Sequence, residues 1–461
     1  MFERKALAWL RSWKNKESHK PLVIRGARQV GKTSLVDAFG KDFDVYLKFN
    51  LDDISDRSIF EKEMPIKELY SILLAIRGKK KYEGSTLIFI DEIQNSPIAI
   101  KMLRYFYEEY PEVYVIAAGS LLETMLDRNK HISFPVGRVE YMVLRPCTFD
   151  EFLGAVDEKG LHDMICSATV PEALHSYVMT LFNKYALVGG MPQAVAEYAR
   201  TSDIIALDDI YQSLIAGYMD DVEKYTTTDM SRNVIRHIIM NGWAYADEQI
   251  TFDHFASSNY KSREVGEAMR TLQKTMLLKL VYPSVETNVP IVPDMKKRPR
   301  LMWLDTGLMN YAAGIQSELY GIDSLNDAWR GKVAEHIVGQ ELIGQSGRYL
   351  EKRTFWVRSN RNSQAELDYL YLSRKYGLIP IEVKSGDNAH LKSLQEFMLN
   401  SDCKYAFRFW NNPERTDSIH IERKDKAGNI IKSKDYTLCS LPFYYAGQLE
   451  KVLERVMQLK Q

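Results

Sequence analysis

Cysteine is scarce: the 461 residues contain four, Cys147, Cys166, Cys403 and Cys439, with no C-x-x-C pair among them. We read no histidine at metal-ligand spacing beside them, so neither a disulfide framework nor a zinc site is expected. Scattered thiols suit a reducing compartment, and the expected location is cytoplasmic. Long hydrophobic runs are absent too. No apolar stretch reaches the roughly 18 residues that a bilayer-spanning helix requires, so no membrane partner is expected. Met1 to Lys16 spreads charges between Phe2, Leu7, Trp9, Leu10 and Trp13, the pattern of an amphipathic helix rather than a signal peptide. An excess of charge is missing as well, since 61 Lys and Arg balance 61 Asp and Glu. That balance argues against a surface built throughout to attract nucleic acid and leaves room for a local basic patch.

What is present is ordinary globular material, 45% hydrophobic and 26% charged. At roughly 150 residues per domain, the length suggests about three domains. One segment stands out. Gly26-Ala27-Arg28-Gln29-Val30-Gly31-Lys32-Thr33 fits G-x-x-x-x-G-K-T. It lies between a short apolar strand, Pro21-Leu22-Val23-Ile24, and a helix opening at Thr33-Ser34, which is the strand-to-helix turn that a phosphate cradle needs. There, backbone N–H groups and a helix N-terminus face one anion. Gly26 and Gly31 allow the backbone to close round phosphates, Lys32 reaches the β- and γ-phosphates, and the Thr33 hydroxyl ligates Mg²⁺. Ser34, next along the helix, is counted with the nucleotide-binding residues.

Some sixty residues on, Thr86-Leu87-Ile88-Phe89-Ile90-Asp91-Glu92 reads as a buried parallel strand delivering two carboxylates to the sheet edge. Behind a P-loop this is a Walker B pattern, with Asp91 on the Mg²⁺ and Glu92 orienting the attacking water. A further strand, Val113 to Ala118, ends at Gly119-Ser120, where Ser120 is either a γ-phosphate sensor or a helix N-cap. Taken in order, GARQVGKT, FIDEIQNSP, AAGSLLE, FPVGRVEYMVLRPCTFDEF and YALVGGMP resemble the AAA-type P-loop ATPases of bacteria and archaea that carry a fused C-terminal domain of unknown function. The resemblance spans nearly the whole chain. It implies an ATPase core, a helical lid, a winged-helix-like module and a C-terminal domain similar to restriction-endonuclease folds. Within FPVGRV, Arg138 matches a position that makes it a candidate arginine finger or sensor, acting in trans if subunits assemble; it reads equally as a surface ion-pair residue. Adenine is the implied base, and no Asn-Lys-x-Asp guanine signature occurs.

The expected fold class is therefore α/β, a doubly wound, mostly parallel sheet followed by three further modules. The ATPase core spans residues 1–148 and the lid 149–219, with helices over Val170 to Tyr185 and Asp203 to Met219 broken at Gly189-Gly190-Met191-Pro192. The winged-helix-like module spans 220–292. In it Val265, Met269, Leu272 and Met276 give a helix one apolar face, and Leu277 to Tyr282 follow as a strand. Lys261, Arg263, Arg270 and Lys274 are available to DNA phosphates, although Glu264 and Glu267 interrupt them. Pro290 to Arg300 reads as a basic, solvated linker.

The remaining span, 293–461, carries a second constellation. Glu335 sits on a helix over Ala328 to Ile343, Asp368 on the strand Ala365 to Tyr371, and Glu382 and Lys384 on Ile379 to Lys384, where i and i+2 share a side. Asp368, Glu382 and Glu335 would bind one or two Mg²⁺ ions and Lys384 would steady the reacting phosphate, a set that resembles the PD-(D/E)xK nuclease pattern. Leu367 replaces the motif's proline. Arg353, Arg358 and Arg361 are either phosphate contacts or surface charges. Two readings follow: an ATPase gating a metal-dependent nuclease on DNA or RNA, or an ATP-driven switch whose C-terminal domain binds nucleic acid or protein without cutting.

Overall fold

The structure is a computed structural model, and it describes residues 2–80, 84–122, 134–315, 327–345, 347, 353–359, 365–384 and 391–458. Arg361 lies outside them. The first sheet is built from β1 (Leu22–Arg25), β2 (Val45–Asn50), β3 (Thr86–Asp91), β4 (Tyr114–Gly119) and β5 (Glu140–Val143), in the order β2-β3-β4-β1-β5. Every pairing is parallel. Alternate side chains of β3 serve opposite faces: Leu87 and Phe89 join the core under α1 (Lys5–Lys14) and α2 (Lys32–Phe39), while Ile88 and Ile90 join the core under the helices Ile66–Ile76 and Pro97–Glu109. Both faces are thereby buried, which is why β3 reads as one continuous apolar run. Because all strands point the same way, their carboxyl ends gather the P-loop, Asp91 and Ser120 at one edge.

Five helices follow, Phe149–Ala155, Lys159–Cys166, His175–Val188, Pro192–Thr201 and Asp208–Asp220. The glycines between the third and fourth do more than break a helix. A Cβ on Gly190 would sit 2.2 Å from the Cys147 carbonyl oxygen. This close approach lets the Cys147 N–H donate to the Gly190 carbonyl at 2.6 Å and the Gly190 N–H donate to Asp305 Oδ2 at 2.5 Å.

The next module holds the helices Asp229–Asn241 and Ser262–Lys274, then β6 (Leu278–Val281) and β7 (Pro283–Ser284). β6 pairs antiparallel with β8 (Arg300–Trp303), and Ala246 and Gln249 bridge to β8 from its other side. This corrects two expectations. The division at 292/293 cuts through a strand pair, because β8 returns to the middle module, and Arg300 is not a solvated linker residue but is buried on β8.

The C-terminal sheet runs β13-β14-β12-β11-β10-β9-β7. Its strands are β9 (Thr354–Val357), β10 (Glu366–Ser373), β11 (Gly377–Val383), β12 (Tyr405–Trp410), β13 (Arg415–Lys424) and β14 (Ile430–Pro442). The β10–β11 pair is antiparallel, whereas β11–β12 and β12–β14 are parallel. The helix Lys392–Asn400 packs on one face, and the helices Asp327–Gly344 and Leu449–Gln458 join the large core on the other. Among the described residues no helix is long and apolar enough to cross a membrane.

Candidate functional site

The loop between β1 and α2 is shaped by its glycines. A Cβ on Gly26 would lie 2.4 Å from the Leu144 carbonyl oxygen, and Gly31 caps α2 in the left-handed region at φ 91°. Gln29 shares that region at φ 64°, so Ala27 to Val30 arch over the helix end. In the first turn the N–H groups of Lys32, Thr33 and Ser34 have no partner within the helix, which makes them donors for an anion. The Lys32 ammonium is buried and donates to the Gly26 and Ala27 carbonyls at 3.0 and 2.9 Å. Burial lowers its pKa to about 8, opposed by the charges of Glu92 and Asp91.

The Thr33 hydroxyl donates to Asp91 Oδ2 at 2.6 Å. Two hard oxygens from different elements thus meet at the loop, the donor chemistry that suits Mg²⁺. Glu92 stands in the left-handed region at φ 51°, rare for a residue with a side chain. Its carboxylate accepts from Gln94 Nε2 at 2.5 Å, and burial raises its pKa. Ser120 follows the end of β4, between β1 and β3, on the same edge.

Three side chains that hold this site were not visible in the sequence reading. Arg4 donates from Nη1 to the Val30 carbonyl at 3.1 Å, from Nη2 to the Arg145 carbonyl at 2.7 Å, and from Nε to Glu151 Oε1 at 2.9 Å. It therefore props the P-loop from behind. Asp221 forms an ion pair with Arg28, and the Tyr218 hydroxyl donates to the Arg28 carbonyl at 3.3 Å, so the lid touches the loop directly. No local signal announces these contacts, which join residues from 26 positions apart (Arg4 and Val30) to 193 apart (Arg28 and Asp221).

Arg138 is not part of its own chain's site. Glu140 pairs with Leu22, the first residue of β1, so Arg138 lies off the amino edge of the sheet, opposite the P-loop. It pairs with Glu108 at 3.2 Å beside a surface cavity of about 890 Å³ that Lys101 and Arg104 also line.

In the C-terminal module the hairpin brings Asp368 beside Glu382, and Asp368 Oδ2 accepts the Val383 N–H at 2.7 Å. Lys384 reaches Glu382 Oε1 at 2.7 Å. Glu335 faces them from its helix, with Asp247 and Arg300 of the middle module and Glu366 of β10. Burial raises the pKa of Glu335, as does the charge of Asp368; burial and Asp368 likewise push Glu382 up to about 8. Burial takes Asp247 to about 7. Glu382 Oε2 and Asp247 Oδ2 are buried without a hydrogen-bond partner among the described residues.

The expected metal set is not assembled as a cage. Among the described residues only Asp150, His162 and Cys166 bring three ligand atoms within 4.8 Å of one another. The reason is Arg300, whose Nη2 lies 3.2 Å from Asp368 Oδ1 and also pairs with Glu366, while Nη1 lies 3.4 Å from Glu335 Oε2. A guanidinium stands where a metal was expected, and as arranged these carboxylates do not fit one. The Asp150 group also corrects the cysteine reading, because His162 is one helical turn before Cys166 and its Nε2 lies 3.6 Å from Sγ. Asp150 is already paired with Lys5 at 2.9 Å. Of the three expected phosphate-contact arginines, Arg353 is buried and Arg358 pairs with Glu396 at 3.3 Å.

Residues 18–153 match the model of a family described as "AAA domain". Residues 179–319 and 330–422 match two others, "Domain of unknown function (DUF8612)" and "Domain of unknown function (DUF4143)". No curated protein matches the chain. Among solved structures, the Walker-type ATPase of Pyrococcus abyssi is 16% identical at a TM-score of 0.45, over 68% of this chain and 96% of that one. The Aeropyrum pernix ORC2 protein is 11% identical at a TM-score of 0.33, over 68% and 93%. By the match over residues 18–153, that stretch forms an AAA-type P-loop domain, and the two stretches behind it belong to matches of unknown function.

Proposed function

We propose that the chain binds and hydrolyses ATP at the P-loop and passes the nucleotide state to the modules behind it. The observation that carries this reading is the 2.6 Å bond from Thr33 to Asp91 beside the buried Lys32. Thr33 and Asp91 would hold Mg²⁺, which would neutralise charge on the phosphates. Lys32 and the Lys32 to Ser34 N–H groups bind the β- and γ-phosphates, and displacement of Lys32 from the Gly26 and Ala27 carbonyls accompanies that binding. Glu92, held by Gln94, orients a water toward the γ-phosphate. Tyr218 of the lid and Asp221 just beyond it both hold Arg28, a direct contact through which loop closure is felt. Arg138, with its own P-loop on the other edge of the sheet, would act on the nucleotide of a neighbouring subunit.

The output is the C-terminal acidic pocket. The placing of Asp368, Glu382 and Lys384 together on the β10–β11 hairpin supports a nuclease-like site acting on DNA or RNA. The ion pairs of Arg300 with Asp368 and Glu335 favour the second reading, a switch that binds nucleic acid or a protein partner without cutting. The helix Ser262–Lys274 and the β6–β8 pair would act as a winged helix, though Arg263 is already paired with Glu267 at 3.0 Å. The test of the nucleotide site uses Lys32→Ala, expected to lose nucleotide binding, and Glu92→Gln, expected to bind ATP and turn it over at least a hundredfold more slowly. Wild-type turnover in both variants would refute the assignment.

A further inference from the structure

The hairpin of β13 and β14 sets cations against one another. Arg423 stands directly opposite Lys432 in the antiparallel pair, and like charges in that position oppose pairing. Residues i and i+2 of a strand share a face, so Lys434 lies beside Lys432, on the face that Tyr436 and Leu438 bury against the helix Lys392–Asn400. Little negative charge answers them. Lys432 Nζ donates to Asn400 Oδ1 at 3.1 Å and Lys434 Nζ donates to the Ser401 carbonyl, acceptors at that helix's C-terminal end that carry only partial charge. Arg423 pairs with Glu396, but Arg358, just past the end of β9, holds the other oxygen of the same carboxylate at 3.3 Å. One acid thus serves two guanidiniums.

The same helix end anchors a second group of cations. Thr287 Oγ1 donates to the Asn400 carbonyl at 2.6 Å, the Asp402 N–H donates to Asn288 Oδ1 at 2.7 Å, and Ile291 packs on the core beneath the helix. These contacts fix the start of the loop from β7 to β8, and the Asp294 N–H fixes its middle on the Pro283 carbonyl at 2.7 Å. Lys296, Lys297 and Arg298 follow, with no ion-pair partner among the described residues, and Lys296 and Arg298 are exposed. Because the whole chain balances 61 basic against 61 acidic residues, this gathering is a local excess.

The excess runs over two strands, a helix end and a loop, so it suits an extended polyanion better than a single phosphate. Resting on the reading of the C-terminal module as a nucleic-acid binder, we infer that this face docks the phosphodiester backbone of a nucleic acid. It does so by charge and without reading sequence. The exposed Val292 and Met295 beside the loop's cations would also suit an anionic membrane. The strand cations, held in place by hydrogen bonds at the helix end, favour the polymer.

Binding of the full-length chain to a labelled mixed-sequence duplex and to a single strand, read by fluorescence anisotropy over a series of salt concentrations, tests this. Each phosphate contact removed lowers the steepness of log K against log salt by about 0.9 on duplex DNA. The triple variant Lys296→Ala, Lys297→Ala, Arg298→Ala is expected to weaken binding at least tenfold and to lower the salt slope by about 2 to 3. Lys432→Gln with Lys434→Gln, which keeps donors at the helix end, is expected to lower it by about 2. A role in folding alone would leave the slope of the folded variants unchanged, and either set carries the test if the other fails to fold. Wild-type binding with equal affinity and slope in both sets would overturn the assignment of this face and leave the nucleic-acid reading standing. Absence of wild-type binding to duplex and single strand would overturn both. Tighter binding to phosphatidylserine vesicles than to either nucleic acid, lost in the same variants, would overturn the proposal in favour of a membrane surface.

Discussion

Replacing Arg4 by alanine tests the account of how the P-loop is held. Arg4 and Glu151 are both largely buried, at 11% and 4% side-chain exposure, and removing one member of such a pair costs about 3–5 kcal/mol. Glu151 keeps the Lys5 and Thr148 N–H groups at 2.8 and 3.0 Å, which places its loss at the lower end of that range. The Val30 and Arg145 carbonyls also lose charged donors, and together these add about 1 kcal/mol. The expected destabilisation is thus about 4 kcal/mol, read as the displacement of the urea transition of the N-terminal domain. Because Val30 is inside the P-loop, ATP affinity measured where the variant is still folded should fall at least tenfold. Glu151→Gln in the same chain should recover part of the stability, since it removes the stranded charge, but none of the ATP affinity. A shift under 1 kcal/mol with unchanged ATP affinity would refute the idea that Arg4 props the loop.

Gly190→Ala should cost at least about 3 kcal/mol, because its Cβ meets backbone at 2.2 Å, whereas Gly160→Ala, with nothing within 4 Å, should stay within about 0.5 kcal/mol; equal thermal shifts would refute the close-approach argument. Glu341 is buried, and burial raises its pKa to about 7 from 4.5. The folded state therefore holds a proton that the unfolded chain releases between those values, stability falls as pH rises through that window, and the full penalty of about 3 kcal/mol stands above pH 7. Glu341→Gln, which still accepts from the Phe149 N–H and the Tyr185 hydroxyl, should flatten this slope; an unchanged profile of denaturation against pH would count against it. Arg138→Ala should leave stability within about 1 kcal/mol, as its pair with Glu108 is exposed. It should lower ATP turnover, and mixing with Lys32→Ala chains should restore activity if Arg138 acts across subunits. Turnover equal to wild type would remove Arg138 from the reaction.

The first domain was legible because its signals are local. The apolar run of β3, the glycines of the β1–α2 turn and the acids at the strand end are each written within a few residues, and the structure places them at one edge. The helix over 327–344 and the β10–β11 hairpin were legible for the same reason. The division at 292 was not, because a basic, proline-rich stretch looks solvated until Arg300 is seen buried on β8. The proximity of His162 to Cys166 is local too, a four-residue step within the helix Lys159–Cys166 that brings Nε2 to 3.6 Å from Sγ.

The sequence by itself determined which residues gather at the β1–α2 turn and at the end of β3, where the proposed phosphate and Mg²⁺ chemistry lies, because strand, turn and helix N-terminus are written in neighbouring residues. Only the tertiary structure decided what supports and opposes that chemistry. Arg4 meets Glu151 across 147 positions, and Arg300 meets Glu335 and Asp368 across 35 and 68. Such pairs leave no periodicity in the chain, since they exist only when separate modules pack and their charges must be answered in a buried space.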